Sequence, residues 1–298
     1  MKIKSLCLIA TFVSLLLVVT VYAKTTTVTE PMSMIMVTNK VGEVKIDVIG
    51  SGAITIDWGY GTIVETHTLS SNSFTHSYSD ASFHTITIKG ENITHLTCSK
   101  NQLTNLNVSK NTVLQHLHCS NNQLTNLDIS ANTALTSLIC AYNQLSSLDV
   151  SNSTALKNLY CYGNQLARLN VSINTALIDL MCYDNQLTSL DVSKNINLYR
   201  LWCGDNQLTN IDVSKNTALT ELHCSNSQLS NIDVSRNTAL RSLMLNRNNL
   251  SATALNALFD TLHDKDYLLK GVAIINNPGT NDCDTSIATG KGWEVKTK

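Results

Sequence analysis

The stretch "LTSLICAYNQLSSLDVSNSTA", Leu135 to Ala155, decides the fold, because it recurs. Cys98, Cys119, Cys140, Cys161, Cys182, Cys203 and Cys224 each follow the last by 21 residues, and Leu245 takes the next place in the series. The unit runs seven times from Ile93 to Ala239, and an eighth begins at Leu240. A fixed internal period of this size is the mark of a solenoid, in which each unit buries its apolar side against its neighbours.

Numbering each unit from its first residue gives every position a role. Positions 1, 4, 6 and 11 are Leu, Leu, Cys and Leu almost throughout, position 14 is Leu or Ile, and position 16 is Val or Ile. These face the core. Positions 3, 5 and 7 alternate with them, as outward residues of one strand do. Position 9 is Asn in every unit except at Ser227. An inward amide at each bend can bond backbone groups that the bend leaves unpaired. The L-D-V-S segment, at positions 14 to 17, is expected to be a second short strand on the opposite side.

These columns closely resemble the leucine-rich repeat family, L-x-x-L-x-L-x-x-N-x-L, with Cys at the third Leu. The short unit is similar to the internalin-type repeats of secreted bacterial proteins. The resemblance covers about Ile93 to Leu250. It implies a mostly β, α/β-class right-handed solenoid with a curved parallel sheet, and a role in protein interaction rather than a chemistry.

Four segments divide the chain. Residues 1–23 read as a signal peptide: Lys2 and Lys4, an apolar run from Leu6 to Val21, and a small-residue site at Val21-Tyr22-Ala23. Removing the two lysines takes the formal charge from −1 to −3. Residues 24–90 read as an N-terminal β cap, with strands at Val44–Val48, Ala53–Trp58, Ile63–Leu69 and Phe83–Lys89 and a hairpin turn at "GSGA" from Gly50. "IDWGYGT", "THSY" and "HTITIKG" resemble a polycystic-kidney-disease-type β-sandwich, with Tyr60 where its W-G-D-G signature has Asp. Residues 91–250 are the solenoid and 251–298 a closing cap. There, Ser251 caps a helix with Leu255, Leu258, Phe259 and Leu262 on one face, followed by two strands and a short helix. Export to the periplasm, the cell surface or the medium follows from the leader. No later stretch is apolar enough for an integral membrane segment.

Nine cysteines in an exported chain raise the question of disulfides. Equivalent residues of stacked coils lie about 4.7–4.9 Å apart, a poor fit to disulfide geometry. Leu245 shows that an apolar residue serves the same place. The column therefore reads as buried core thiols, and Cys283 as a free thiol. No paired C-x-x-C hooks, no H-E-x-x-H, no G-x-S-x-G and no phosphate loop occur, so neither a cofactor nor an enzyme is expected. The balance of 21 basic and 22 acidic residues is not that of a nucleic-acid binder. His95, His116 and His118 share one strand face and are the candidate metal ligands, against a plain polar surface. Asp128, Asp149, Asp191, Asp212 and Asp233 form a column interrupted by Asn107 and Asn170. It admits a calcium ladder or, in the bland reading, bonds within each turn.

Information concentrates on the strand face. Every aromatic residue between Ile93 and Ala239 lies on that side. Tyr142, Tyr160, Tyr162, Asp179, Met181, Tyr183, Arg200, Trp202, Glu221 and His223 form the candidate ligand-binding patch. A protein or peptide ligand is the first expectation. A carbohydrate stacked on Tyr and Trp, as in an adhesin, is the alternative, and aromatics that only cover and stiffen the sheet are the third reading.

Overall fold

A computed structural model describes residues 32–60 and 64–298. The leader segment lies outside the described residues. Residues Pro31–Lys298 form one compact unit. Its first strands are β1 (Ser33–Thr38), β2 (Gly42–Asp57), β3 (Val64–Tyr78), β4 (His84–Thr97) and β5 (Leu103–Asn107). Then come three-residue strands at 21-residue intervals: β6 (His116–His118), β7 (Ser137–Ile139), β8 (Asn158–Tyr160), β9 (Asp179–Met181), β10 (Arg200–Trp202), β11 (Glu221–His223) and β12 (Ser242–Met244). Helix α1 (Ala252–Thr261), β13 (Gly271–Ala273), α2 (Ser286–Thr289) and β14 (Glu294–Lys296) close the chain.

Strands β4 and β6 to β14 pair in parallel, in chain order, each residue opposite its counterpart in the next coil. In-register pairing puts like on like. Leu117, Leu138, Leu159, Leu180, Leu201 and Leu222 at position 4 are each at most 1% exposed. The cysteines at position 6 are all 0% exposed and free. Burial pushes the Cys98 and Cys140 thiols up to about 12. The Sγ atoms of Cys203 and Cys224 approach to 3.1 Å as thiols. A thiol without access to water or to a base stays protonated and unreactive.

Two asparagine ladders hold the coils in register. At position 9, Asn164 Nδ2 donates to the carbonyls of Cys140 (3.1 Å) and Cys161 (3.0 Å), while its Oδ1 accepts from Leu145 N–H (3.0 Å). The same set recurs at Asn143, Asn206 and Asn248. The second ladder, at position 19, was not expected. Asn132 Nδ2 donates to Val108 and Asn111 carbonyls at 3.0 and 2.7 Å, and Asn174, Asn195, Asn216 and Asn237 repeat the arrangement. Its sequence signal is visible as N-T or N-x before each new unit except the one after Ala155, where Ser153 stands in its place.

Two expectations are corrected. L-D-V-S forms no strand after β5. Each Asp Oδ1 instead accepts the N–H of the Ser two residues on, at 2.8–2.9 Å, closing a turn that turns the backbone away from its neighbour. Asn107 and Asn170 do the same at 3.0 Å, so the column is a row of turn bonds. Second, "GSGA" is no hairpin. β2 runs through it, and Gly50 and Ser51 make a bulge against β3 and β4. A Cβ on Gly50 would lie 2.2 Å from the Asn92 carbonyl oxygen, so only glycine allows that approach.

At the N-terminal end, β1 was also unforeseen. It lies antiparallel between β4 and β5, burying Met34 and Met36. Together β1 to β4 supply an apolar block including Val44, Ile46, Ile56, Ile86 and Ile88, which continues into the first coil. At the other end, Ser251 Oγ caps α1 by accepting from Ala254 N–H (3.2 Å), and Leu255, Leu258 and Phe259 are buried. Trp293 covers the last coil, its Nε1 donating to the His263 carbonyl at 2.8 Å.

Two measurements follow. In folded protein a water-soluble thiol reagent should leave Cys98 to Cys224 unlabelled, and in denaturant all eight described cysteines should react. Ser227 stands where the ladder needs Asn, and its buried Oγ has no partner among the described residues. Ser227→Asn should restore bonds to the Cys203 and Cys224 carbonyls and raise the free energy of urea unfolding by about 1–2 kcal/mol.

Candidate functional site

The strand face carries the variable residues, and the in-register sheet dictates how they meet. Side chains at one position of neighbouring coils start about 4.8 Å apart, close to the stacking distance of aromatic rings. A row results. Tyr142 meets Tyr162 edge-to-face (5.1 Å, 90°), and Tyr162 stacks on Tyr183 (4.4 Å, 9°). Tyr183 tilts against Trp202 (6.4 Å, 49°), and Trp202 stacks on His223 (4.7 Å, 16°). Five rings thus run across five consecutive coils. Each such pair contributes roughly 0.5–1.5 kcal/mol beyond burial. Burial and the neighbouring phenols Tyr162 and Tyr142 push the Tyr183 hydroxyl up. Burial holds His223 low, so its ring is neutral at pH 7. His223 Nε2 meets Ser242 Oγ at 3.1 Å.

Beside this row runs a charged one. Arg200 clamps Asp179 from the next strand through Nε (2.7 Å) and an amino nitrogen (2.9 Å). That bond, first of all, keeps the guanidinium charged. Tyr160 sits above with a long 3.5 Å contact to Asp179 Oδ2, its hydroxyl pushed up mainly by burial and then by that carboxylate. Glu221 pairs across the sheet with Arg200 by backbone register and is half-buried.

The ten patch residues fall on coils in lateral sequence, but they are not equally open. Tyr160, Tyr162, Tyr183, Arg200, Trp202, Glu221 and His223 are half-buried, and Tyr142 is 48% exposed. Asp179 and Met181 are covered, at 7% and 9% exposed. Position 7 is not simply outward either. Ser120 and Ala141 are buried, because the chain already bends inward there toward the position 9 amide. Missed by pattern reading was position 8. It adopts a left-handed backbone in every unit, from Lys100 (φ 60°) to Arg247 (φ 54°), and explains the Asn, Asp and Gly that recur there.

The three histidines do not converge on a metal. His95 and His116 stack face to face (4.1 Å, 11°), and His95 Nδ1 is taken by Thr94 Oγ1 at 2.9 Å. Among the described residues no group of three His, Cys, Asp or Glu side chains could hold an ion. Parallel rings put their nitrogens side by side rather than aimed at one point.

No protein-family model matches this chain, and no curated protein does. Solved structures do. The leucine-rich repeat domain of APL1B aligns with 63% of this chain and 55% of its own at 23% identity and TM-score 0.51. A leucine-rich repeat protein of Leptospira interrogans aligns over 57% and 45%, at 24% identity and TM-score 0.50. The functional domain of InlJ from Listeria monocytogenes, described as including a cysteine ladder, aligns over 73% and 56%, at 28% identity and TM-score 0.49. This chain spans about half the length of each. The fold is therefore a mostly β, parallel-sheet solenoid of the leucine-rich repeat class. Among the described residues no helix is long and apolar enough to cross a membrane.

The Arg200–Asp179 pair supplies a test of the site's rigidity. Arg200→Ala should leave a covered carboxylate unpaired. With Arg200 about one-third exposed, the loss discounts to about 2 kcal/mol in urea unfolding. Adding Asp179→Asn should recover most of it.

Proposed function

We propose that this chain is an exported, non-enzymatic recognition protein whose strand face, the concave side of the solenoid, binds a protein or peptide. In this reading residues 1–23 are a cleaved leader, 24–90 and 251–298 are caps, and 91–250 present the binding surface. The single observation that carries the reading is the aromatic row from Tyr142 to His223. Elsewhere the repeat uses Leu and Cys for its core, so these rings are not needed to fill it. The row stands on short strands held by the two asparagine ladders, which gives a surface that is rigid before a partner arrives. Rigid Tyr and Trp anchors lose little side-chain freedom on binding. The leucine-rich repeat solenoids it resembles in fold supply an extended surface of the same kind.

The same geometry weighs against a carbohydrate. A sugar stacks on an open ring face. Tyr162 and Tyr183 turn their faces to each other, as do Trp202 and His223. What they offer outward is ring edges and hydroxyls, with Trp202 Nε1 buried, which suits the backbone and side chains of a polypeptide better.

The test is selection from a displayed random peptide library on the immobilised chain, with Trp202→Ala as the counter-target and a glycan array run beside it. The expected outcome is a peptide family retained by the wild type and weakened at least about tenfold by Trp202→Ala. Glycan binding that depends on Trp202, without such peptides, would replace this reading with the carbohydrate one.

A further inference from the structure

Position 8 is where the chain leaves each strand, and its backbone is left-handed throughout. In the inner units its occupants are Asn121, Gly163, Asp184, Asp205 and Asn226, residues that accept this conformation, and one that does not, Tyr142 at φ 51°. Only the terminal units place other large side chains there, the unbranched Lys100 and Arg247. A tyrosine in the left-handed region is unfavourable because its Cβ crowds the backbone carbonyl.

The next occupant of the column explains how the ring is accommodated. A Cβ on Gly163 would lie 2.4 Å from Tyr142 Cδ1 and 2.7 Å from Cε1. The ring occupies the space that an Asn or Asp side chain would fill in that unit. Tyr142 and Gly163 are thus one feature, a large residue and the notch that receives it. The ring ends edge-to-face on Tyr162, at the end of the aromatic row. Nearly half of Tyr142 still faces solvent, so core burial does not offset the backbone conformation. Beyond the notch, Asp184 is exposed on the same column, and Asp205 beyond it accepts from Asn226 Nδ2 at 2.6 Å.

We propose that Tyr142 is a recognition anchor whose ring, with the Asp184 carboxylate across the Gly163 notch, receives a Lys or Arg side chain of the bound polypeptide. The inference rests on the reading of the strand face as a polypeptide-binding surface and adds the partner's chemistry. A guanidinium or ammonium gains from the ring's negative face and from the Asp184 carboxylate, two coils on from Tyr142 and one beyond Gly163. An unfavourable backbone conformation kept at an exposed ring is what a binding residue leaves behind when folding alone would have chosen Asn.

The experiment uses the peptides selected on the wild-type chain. The inference expects them to share a Lys or Arg whose replacement by Ala weakens binding. Tyr142→Asn should weaken them at least tenfold while the urea midpoint stays the same or rises. Gly163→Asn, which keeps the tyrosine but displaces its ring, should weaken them as well. Peptides that depend on Trp202 but ignore Tyr142→Asn would overturn the anchor and leave the proposed function standing. A clear fall in the urea midpoint of Tyr142→Asn would also overturn it, because the ring would then serve folding. Failure to select any Trp202-dependent peptide overturns the proposed function and the anchor with it.

Discussion

The structure depends on one constraint: each coil of 21 residues must bend sharply while its buried backbone N–H and C=O groups stay paired. Short strands satisfy one side of the coil by pairing with their neighbours. The bends do so only in part: Tyr142 N–H still reaches the Tyr162 carbonyl (2.9 Å) and Gln144 N–H the Leu124 carbonyl (2.8 Å), while the position 6 carbonyl and the position 11 N–H are met by side-chain amides. The asparagines at positions 9 and 19 supply what is missing, each spanning two coils from a single amide. A buried donor or acceptor left unmade costs about 1–3 kcal/mol, and each coil would otherwise carry several. The strict period follows from this. A residue inserted between the strand and the position 9 amide would take that amide out of reach of the carbonyls it bonds.

The cysteine column is a consequence of the same geometry. Position 6 follows the strand and precedes the bend, and its carbonyl is one that the position 9 amide must reach. A small apolar side chain keeps that approach close while still filling the core. Leu245 takes this place in the eighth unit, and the ladder continues past it: Asn248 Nδ2 donates to its carbonyl at 3.1 Å and Asn277 Nδ2 at 2.8 Å. Stacking like on like in the column keeps the thiols in a ladder along the axis, protonated and out of reach of solvent.

Periodicity made the solenoid, its core positions and the position 9 ladder legible in the sequence. Position 16 was also read correctly as core, although the surrounding L-D-V-S is not a strand. The error has a physical source: alternation there reflects a turn in which Asp faces its own backbone, and a turn of two outward residues mimics a strand's period. Position 19 went unread because Asn before Thr looks like an ordinary loop. The N-terminal strands were harder still. β2 carries a bulge at Gly50 and Ser51, which sequence cannot tell from a hairpin. β1 is a short Met-rich run whose place in the sheet is set by β4 and β5, far along the chain. For the candidate site, the pattern located which residues share the strand face. It could not show that Asp179 and Met181 are covered, since that depends on how their large neighbours lean.

The strand face also explains why the aromatics form a row rather than a scatter. A parallel in-register sheet repeats at about 4.8 Å, and a stacked pair of rings needs nearly the same separation. Once one coil carries a ring at position 5 or 7, the neighbouring coil gains most by carrying another. Such a row stiffens the sheet whether or not anything binds, so stacking alone does not distinguish a recognition surface from a structural one. Tyr142 is where the proposed recognition role and a purely structural one differ. Stiffening rewards residues whose backbone is comfortable and whose rings are covered, and Tyr142 has neither property. Its ring extends the row into a column that in the other inner units holds Asn, Asp or Gly, and Gly163 leaves the room it occupies. Two coordinated departures from the repeat, both on the same face, are hard to derive from the stability of the coil, and the proposed recognition role of this face accounts for both.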